Sequence, residues 1–134
     1  VSSSKLIISP CLFHSLRKVK WIMGFKAVHL TEIKNEDAGE PGVMIRWLIT
    51  KEDGAPNFAM RYFELQPRAR SPHHSHDWEH EVFILDGECS VFCDGQTRTA
   101  TNGYAIYIPP NAVHHFENVG ESTLRFLCLV PHKK

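Results

Sequence analysis

Apolar and polar residues alternate in short runs along most of the chain, the period of half-buried strands. Val43 to Thr50, Phe58 to Leu65, Val82 to Leu85, Tyr104 to Ile108 and Ser122 to Val130 read as strands, and Lys26 to Ile33 alternates weakly as a first one. Between them lie turn signals. Asn35 to Gly42 is a polar turn, and Lys51-Glu52-Asp53-Gly54 another. Asp86-Gly87 and Asp94-Gly95 have hairpin chemistry, the latter closing the strand-turn-strand run from Leu85 to Cys93. Gln66 to Pro72 is a basic loop, and Pro109-Pro110-Asn111 a rigid turn. Many short strands without a long helical pattern predict an all-β sandwich or barrel.

The first 25 residues fit this pattern least. Leu6-Ile7-Ile8 and Leu12-Phe13 are broken by Pro10, and no acid precedes Glu32. This stretch is expected to be an N-terminal arm outside a single domain at 26–134. A targeting leader, or sequence upstream of a native start at Met23, stays open as an alternative.

The 134 residues suit one domain, and the formal net charge of zero gives no electrostatic case for nucleic acid or an anionic membrane. Cys11, Cys89, Cys93 and Cys128 contain no C-x-x-C pair, and no signal peptide or long apolar span is evident. A cytoplasmic protein with reduced thiols is the expectation. Cys89 and Cys93 would share a strand face as buried thiols.

Nine histidines change the picture, because several cluster in His74-Ser75-His76-Asp77-Trp78-Glu79-His80-Glu81. On a strand, His74 and His76 would share a face. His80 follows after a short bend, and His114 comes far downstream, after the proline turn. Three or four neutral imidazoles meeting at one point suit Zn, Cu, Fe or Ni, and less specifically Mn. His73 and His115 neighbour proposed ligands and would point to the opposite face.

These residues resemble the two motifs of the cupin superfamily. His74, His76 and Gly87 match the first motif, with His80 where the family usually has glutamate and Arg68 where it has its opening glycine. Gly103, Pro109, His114 and Asn118 match the second, with Asn111 in place of an internal glycine. The resemblance covers roughly residues 40 to 131. Ala55-Pro56-Asn57-Phe58, Trp78-Glu79-His80-Glu81 and Phe126-Leu127-Cys128-Leu129 further resemble a group of small bacterial single-domain cupins. That group holds manganese or a similar divalent metal through four histidines, at the positions of His74, His76, His80 and His114.

The resemblance implies a jelly-roll barrel, with one divalent transition metal inside. Mn or Fe is favoured, with Ni, Cu or Zn as alternatives. It places Phe126 and Cys128 beside the metal, where they are weighed against plain core residues. Arg61 is a candidate for holding an anionic substrate, against an ordinary surface ion pair, and Tyr107 is a similar candidate. Glu79 and Glu81 flank His80 and could orient a ligand histidine from behind. The function expected is a metal-dependent, dioxygenase-type enzyme acting on a small organic substrate. A non-enzymatic ligand- or metal-binding module, a metal-dependent isomerase or decarboxylase, and a closed structural zinc site are the alternatives. The family also implies a homodimer.

Overall fold

The computed structural model describes residues 24–133. Most of the proposed N-terminal arm, with Cys11 and Met23, lies outside them. Among the described residues nine strands follow in chain order: β1 Glu36–Asp37, β2 Val43–Ile49, β3 Phe58–Leu65, β4 His80–Asp86, β5 Glu88–Cys93, β6 Gln96–Thr101, β7 Ala105–Ile108, β8 His114–Asn118 and β9 Leu124–Pro131. They form a six-stranded sheet ordered β1-β2-β3-β9-β4-β7 and a three-stranded sheet ordered β6-β5-β8. Every pairing is antiparallel. The two sheets form the β-sandwich expected from the alternation, with the jelly-roll form that the resemblance implies.

Period-2 patterning sets which side chains face inward. On β3, Ala59, Arg61, Phe63 and Leu65 stand opposite Val130, Cys128, Phe126 and Leu124 of β9. His80, Val82 and Ile84 of β4 are buried, as are His114, Phe116 and Asn118 of β8. Cys89 and Val91 supply the inner face of β5. Cys89, Cys93 and Cys128 are free thiols, and burial pushes Cys89 up to about 12, so it behaves as packing rather than as a nucleophile.

Local chemistry explains the connections. Asp94 and Gly95 both have positive φ (46° and 84°), the backbone of the two-residue turn that best continues strand twist. Asn118 is fully buried. Its Nδ2 donates to the carbonyls of Leu65 and Ser122, and its Oδ1 accepts from the Gly120 amide. One side chain thereby ties the end of β3 to the β8–β9 turn. The two positions where the family pattern has glycine, Arg68 and Asn111, both adopt left-handed backbone (φ 71° and 69°). The pattern's glycines therefore answer a conformational demand that this chain meets with strained residues.

Lys26 to Ile33 is not a strand. It contains a short 3-10 turn at Leu30–Glu32, capped by His29. Side chains rather than a backbone ladder bind it to β2: Arg46 donates to the carbonyls of Leu30 and Ile33, and Lys26 pairs with Asp53. Conversely, the expected polar turn at 35–42 contains the two-residue β1. Among the described residues no helix is long and apolar enough to cross a membrane.

At Gly87 (φ +96°), an added Cβ would lie 2.8 Å from Leu124 Cα and 3.0 Å from the Thr123 carbonyl oxygen. Gly87→Ala is expected to lower unfolding stability by about 2–3 kcal/mol. Arg68→Gly relieves left-handed strain against a smaller entropy cost, and should gain up to about 1 kcal/mol. Urea denaturation checks both; a neutral Gly87→Ala would show that the turn has room to shift.

Candidate metal centre

Three parts of the fold bring four imidazoles together. His80 opens β4 and His114 opens β8, both pointing inward. His74 and His76 are not on a strand, contrary to the sequence reading; they lie in the loop between β3 and β4. Backbone contacts stitch that loop down instead. The His74 amide donates to the His114 carbonyl (3.2 Å) and the His114 amide returns the bond (2.9 Å). The Asn111 amide donates to the His76 carbonyl at 2.6 Å.

One ring nitrogen from each of His74, His76 and His114 lies within 4.8 Å of the others. His80 joins this trio from the far side, with its Nε2 2.9 Å from Nε2 of His76. His76 and His114 each pack against all three other rings, at centroid distances of 4.6–5.1 Å. His74 and His80 thus stand at the two ends of the cluster.

Hydrogen bonds decide which nitrogens are free. His76 Nδ1 lies 2.9 Å from the Trp78 carbonyl, and His114 Nδ1 lies 2.9 Å from the Ala112 carbonyl. A carbonyl oxygen only accepts, so each Nδ1 carries the proton and each neutral ring turns a bare Nε2 lone pair inward. Partial desolvation holds the pKa values of His74 and His76 below the ordinary 6.5, although His74 is exposed and His76 half-buried. His80 is pushed down to about 3, mainly by burial and then by the Arg61 charge. These are neutral, converging imidazole donors, which is what a borderline divalent metal requires. The Nε2 atoms of His76 and His80 lie 2.9 Å apart, near enough for both to reach one ion. The residues therefore fit a metal ion. His80 Nε2–H donates to the bare His76 Nε2.

The cluster opens into a cavity of about 370 Å³, within the range of small-molecule sites. Trp47, Phe63, Trp78, Phe116 and Phe126 line it beside the histidines. Phe63 and Phe126 stack at 5.2 Å, Phe126 contacts Phe116, and Trp78 lies flat on His76 at 4.0 Å. Cys128 also lines the cavity, its Sγ 3.2 Å from His80 Nδ1.

The other candidates separate clearly. Arg61 is not a surface ion pair: it lines this cavity, with its guanidinium 5.5 Å from the Trp47 ring centre and 5.0 Å from that of Phe63. Tyr107 is not a cavity residue, because strand alternation turns it outward opposite Glu81, 58% exposed, beside a separate groove. Glu81 lies close enough to Glu79 to raise its carboxyl's pKa, and no hydrogen bond joins either to the four imidazoles among the described residues. His73 and His115 meet on the exposed side, Nδ1 to Nδ1 at 2.8 Å. Trp47, Phe63, Trp78 and Phe116 were missed by the sequence reading. For Trp47 a signal existed, since it continues the inward Val43-Ile45 alternation on β2.

A pH response follows from the buried imidazoles. His80 titrates at 6.5 unfolded and about 3 folded, so the unfolded chain binds the extra proton between those values. The metal-free protein should lose stability as pH falls through this window. His74 and His76 act in the same direction. Thermal melts of chelator-treated protein should show a lower midpoint at pH 4.5 than at 7.5, with a flatter slope in His80→Phe. An unchanged slope in that variant would show that His80 does not control it.

Comparison with known proteins agrees with this geometry. A cupin-domain family model matches residues 61–130. The polyketide cyclase RemF from Streptomyces resistomycificus is 35% identical, with a TM-score of 0.75, over 81% of this chain and 80% of that one. A predicted oxalate decarboxylase from Thermotoga maritima is 25% identical, with a TM-score of 0.71, over 81% of this chain and all of its own. An uncharacterised protein of Methanocaldococcus jannaschii is 36% identical over 56 residues, 41% of this chain and 45% of that protein. The match thus spans less than half of that curated relative. With a matching family model over more than half its length and a jelly roll enclosing a histidine cluster, the chain belongs to the cupin domain family.

Proposed function

We propose that the chain is a divalent-metal enzyme for small, enolisable carbonyl substrates, with His74, His76, His80 and His114 holding one transition-metal ion. The observation that carries this is the convergence of imidazole nitrogens at one wall of an aromatic cavity. The bound ion would supply Lewis acidity toward a carbonyl or enolate oxygen, undiminished by anionic ligands. His76 and His114 are locked by their carbonyl partners, so they present lone pairs without reorganising. His80 would hold the ion through Nε2, leaving its Nδ1 beside the Cys128 sulfur. Phe63, Phe126 and Trp78 offer flat apolar surfaces that hold a planar substrate and displace water.

The likeness to a polyketide cyclase favours ring-closing condensation of a polycarbonyl chain. The dioxygen-dependent cleavage expected from the sequence begins from the same held enolate. The two differ in oxygen consumption.

The test is reconstitution with Mn, Fe, Ni, Cu or Zn, followed by incubation with enolisable diketones and triketones. Substrate loss and dioxygen uptake are recorded together. Metal-dependent loss without uptake identifies a cyclase, lyase or isomerase; loss with matching uptake identifies a dioxygenase. Full metal occupancy with binding but no turnover would replace the enzyme by a binding module. His76→Ala should weaken metal binding by more than the about 10–100-fold typical of losing an outer partner, while His73→Ala should leave it unchanged. Equal effects in a competition titration would mean that the wrong imidazoles had been chosen.

A further inference from the structure

Arg61 carries a charge that its surroundings leave unanswered. It makes no ion pair among the described residues, where the ion pairs are Lys26–Asp53, Arg70–Glu117 and Arg125–Glu64. Its Nη2 donates to Cys128 Sγ at 2.9 Å and lies 3.3 Å from His80 Nδ1, and both partners are neutral groups. Burial raises the Cys128 thiol's pKa, so the sulfur does not answer the charge as a thiolate. Nε is sealed from solvent with no hydrogen-bond partner. The flat faces of Trp47 and Phe63 flank the guanidinium. That leaves Nη1 as the free donor. Arg61 is half-buried, and an arginine that gives up part of its hydration generally gains an anion, because desolvating its charge is costly. The acids Glu36, Asp37 and Glu40 also line the cavity, on or beside the edge strand β1 with β2 between it and β3, and none of them forms an ion pair with Arg61.

We propose that Arg61 is an anion-binding residue beside the histidine cluster, receiving a planar oxyanion, a carboxylate or a stabilised enolate, against the Trp47–Phe63 shelf. This deepens the function proposed above by naming the substrate class. Nη1 offers one charge-assisted hydrogen bond to an anionic oxygen, and the aromatic faces that hold the guanidinium also accept the ligand's ring. A neutral ligand of the same shape would leave the charge unanswered, which is how a polar site rejects an isostere.

The test uses chelator-treated full-length protein at pH 8, where the imidazoles are neutral, so that no metal competes for the anion. Calorimetric titration compares benzoate, 4-nitrophenolate and the neutral isostere benzamide. Benzoate, nitrophenolate or both should bind at least about tenfold more tightly than benzamide. The preference should vanish in Arg61→Met and survive in reduced form in Arg61→Lys. Benzoate binding alone assigns a carboxylate, and nitrophenolate binding alone assigns an enolate-like oxygen. Equal binding of all three to the wild-type protein overturns the proposal even if Arg61→Met fails to fold. So does an unchanged preference in a folded Arg61→Met. Metal titration is scored separately: a chain that prefers benzoate through Arg61 but takes up no metal keeps this inference and loses the metal-enzyme reading.

Discussion

The pair of backbone hydrogen bonds between His74 and His114 is the constraint on which the centre depends. His114 has a strand to hold it, but His74 and His76 sit in a loop with no ladder of its own. The two bonds, with the Asn111 amide bound to the His76 carbonyl, give that loop strand-like precision at the necessary points. They also sort the neighbouring imidazoles: His74 and His114 turn inward, while His73 and His115 meet on the outer side.

That arrangement is bought with local strain. Asn111 holds a left-handed conformation so that its amide can reach His76, and Arg68 holds another where the chain bends toward the loop. Neutral imidazoles are also buried at a depth that depresses His80 to about 3. Each of these choices opposes stability and serves geometry, the usual relation between a fold and the site it carries. The compensation lies in the surrounding core and in satisfied polar anchors such as Asn118.

The two sheets divide the work. The six-stranded sheet provides the cavity's breadth through the inward faces of β2, β3 and β9, which carry Trp47, Arg61, Phe63, Phe126 and Cys128. The small sheet brings β8, and with it His114 and Phe116. The cluster therefore spans the sandwich rather than lying on one layer. Closure of the sandwich and assembly of the donor set are the same event, which explains why so short a chain can carry a site of this kind.

Much of this was legible from residues in order. Alternation located most strands because period 2 is a local property, and β3 begins and ends where the alternation does. The Asp94-Gly95 turn follows from backbone chemistry that two residues contain by themselves. The motif spacing singled out His74, His76, His80 and His114, imidazoles that the fold does place side by side. Other features depended on partners far away in sequence. Lys26 to Ile33 alternates weakly, yet Arg46 and Lys26 side-chain bonds hold it as a non-strand segment. Arg61 has the composition of a surface residue and becomes a cavity charge because Trp47, Phe63 and Cys128 close around it. Tyr107 and the two glutamates looked close to the site in sequence, but the pleat turns Tyr107 and Glu81 outward, and Glu79 lies beside Glu81 rather than beside the imidazoles. Periodicity and turn chemistry are written within a few residues, so the sequence by itself determined the strands and the ligand types. Burial, tautomer and charge pairing arise only when distant strands meet, so the tertiary structure alone decided which nitrogens are bare and which charge is left unanswered.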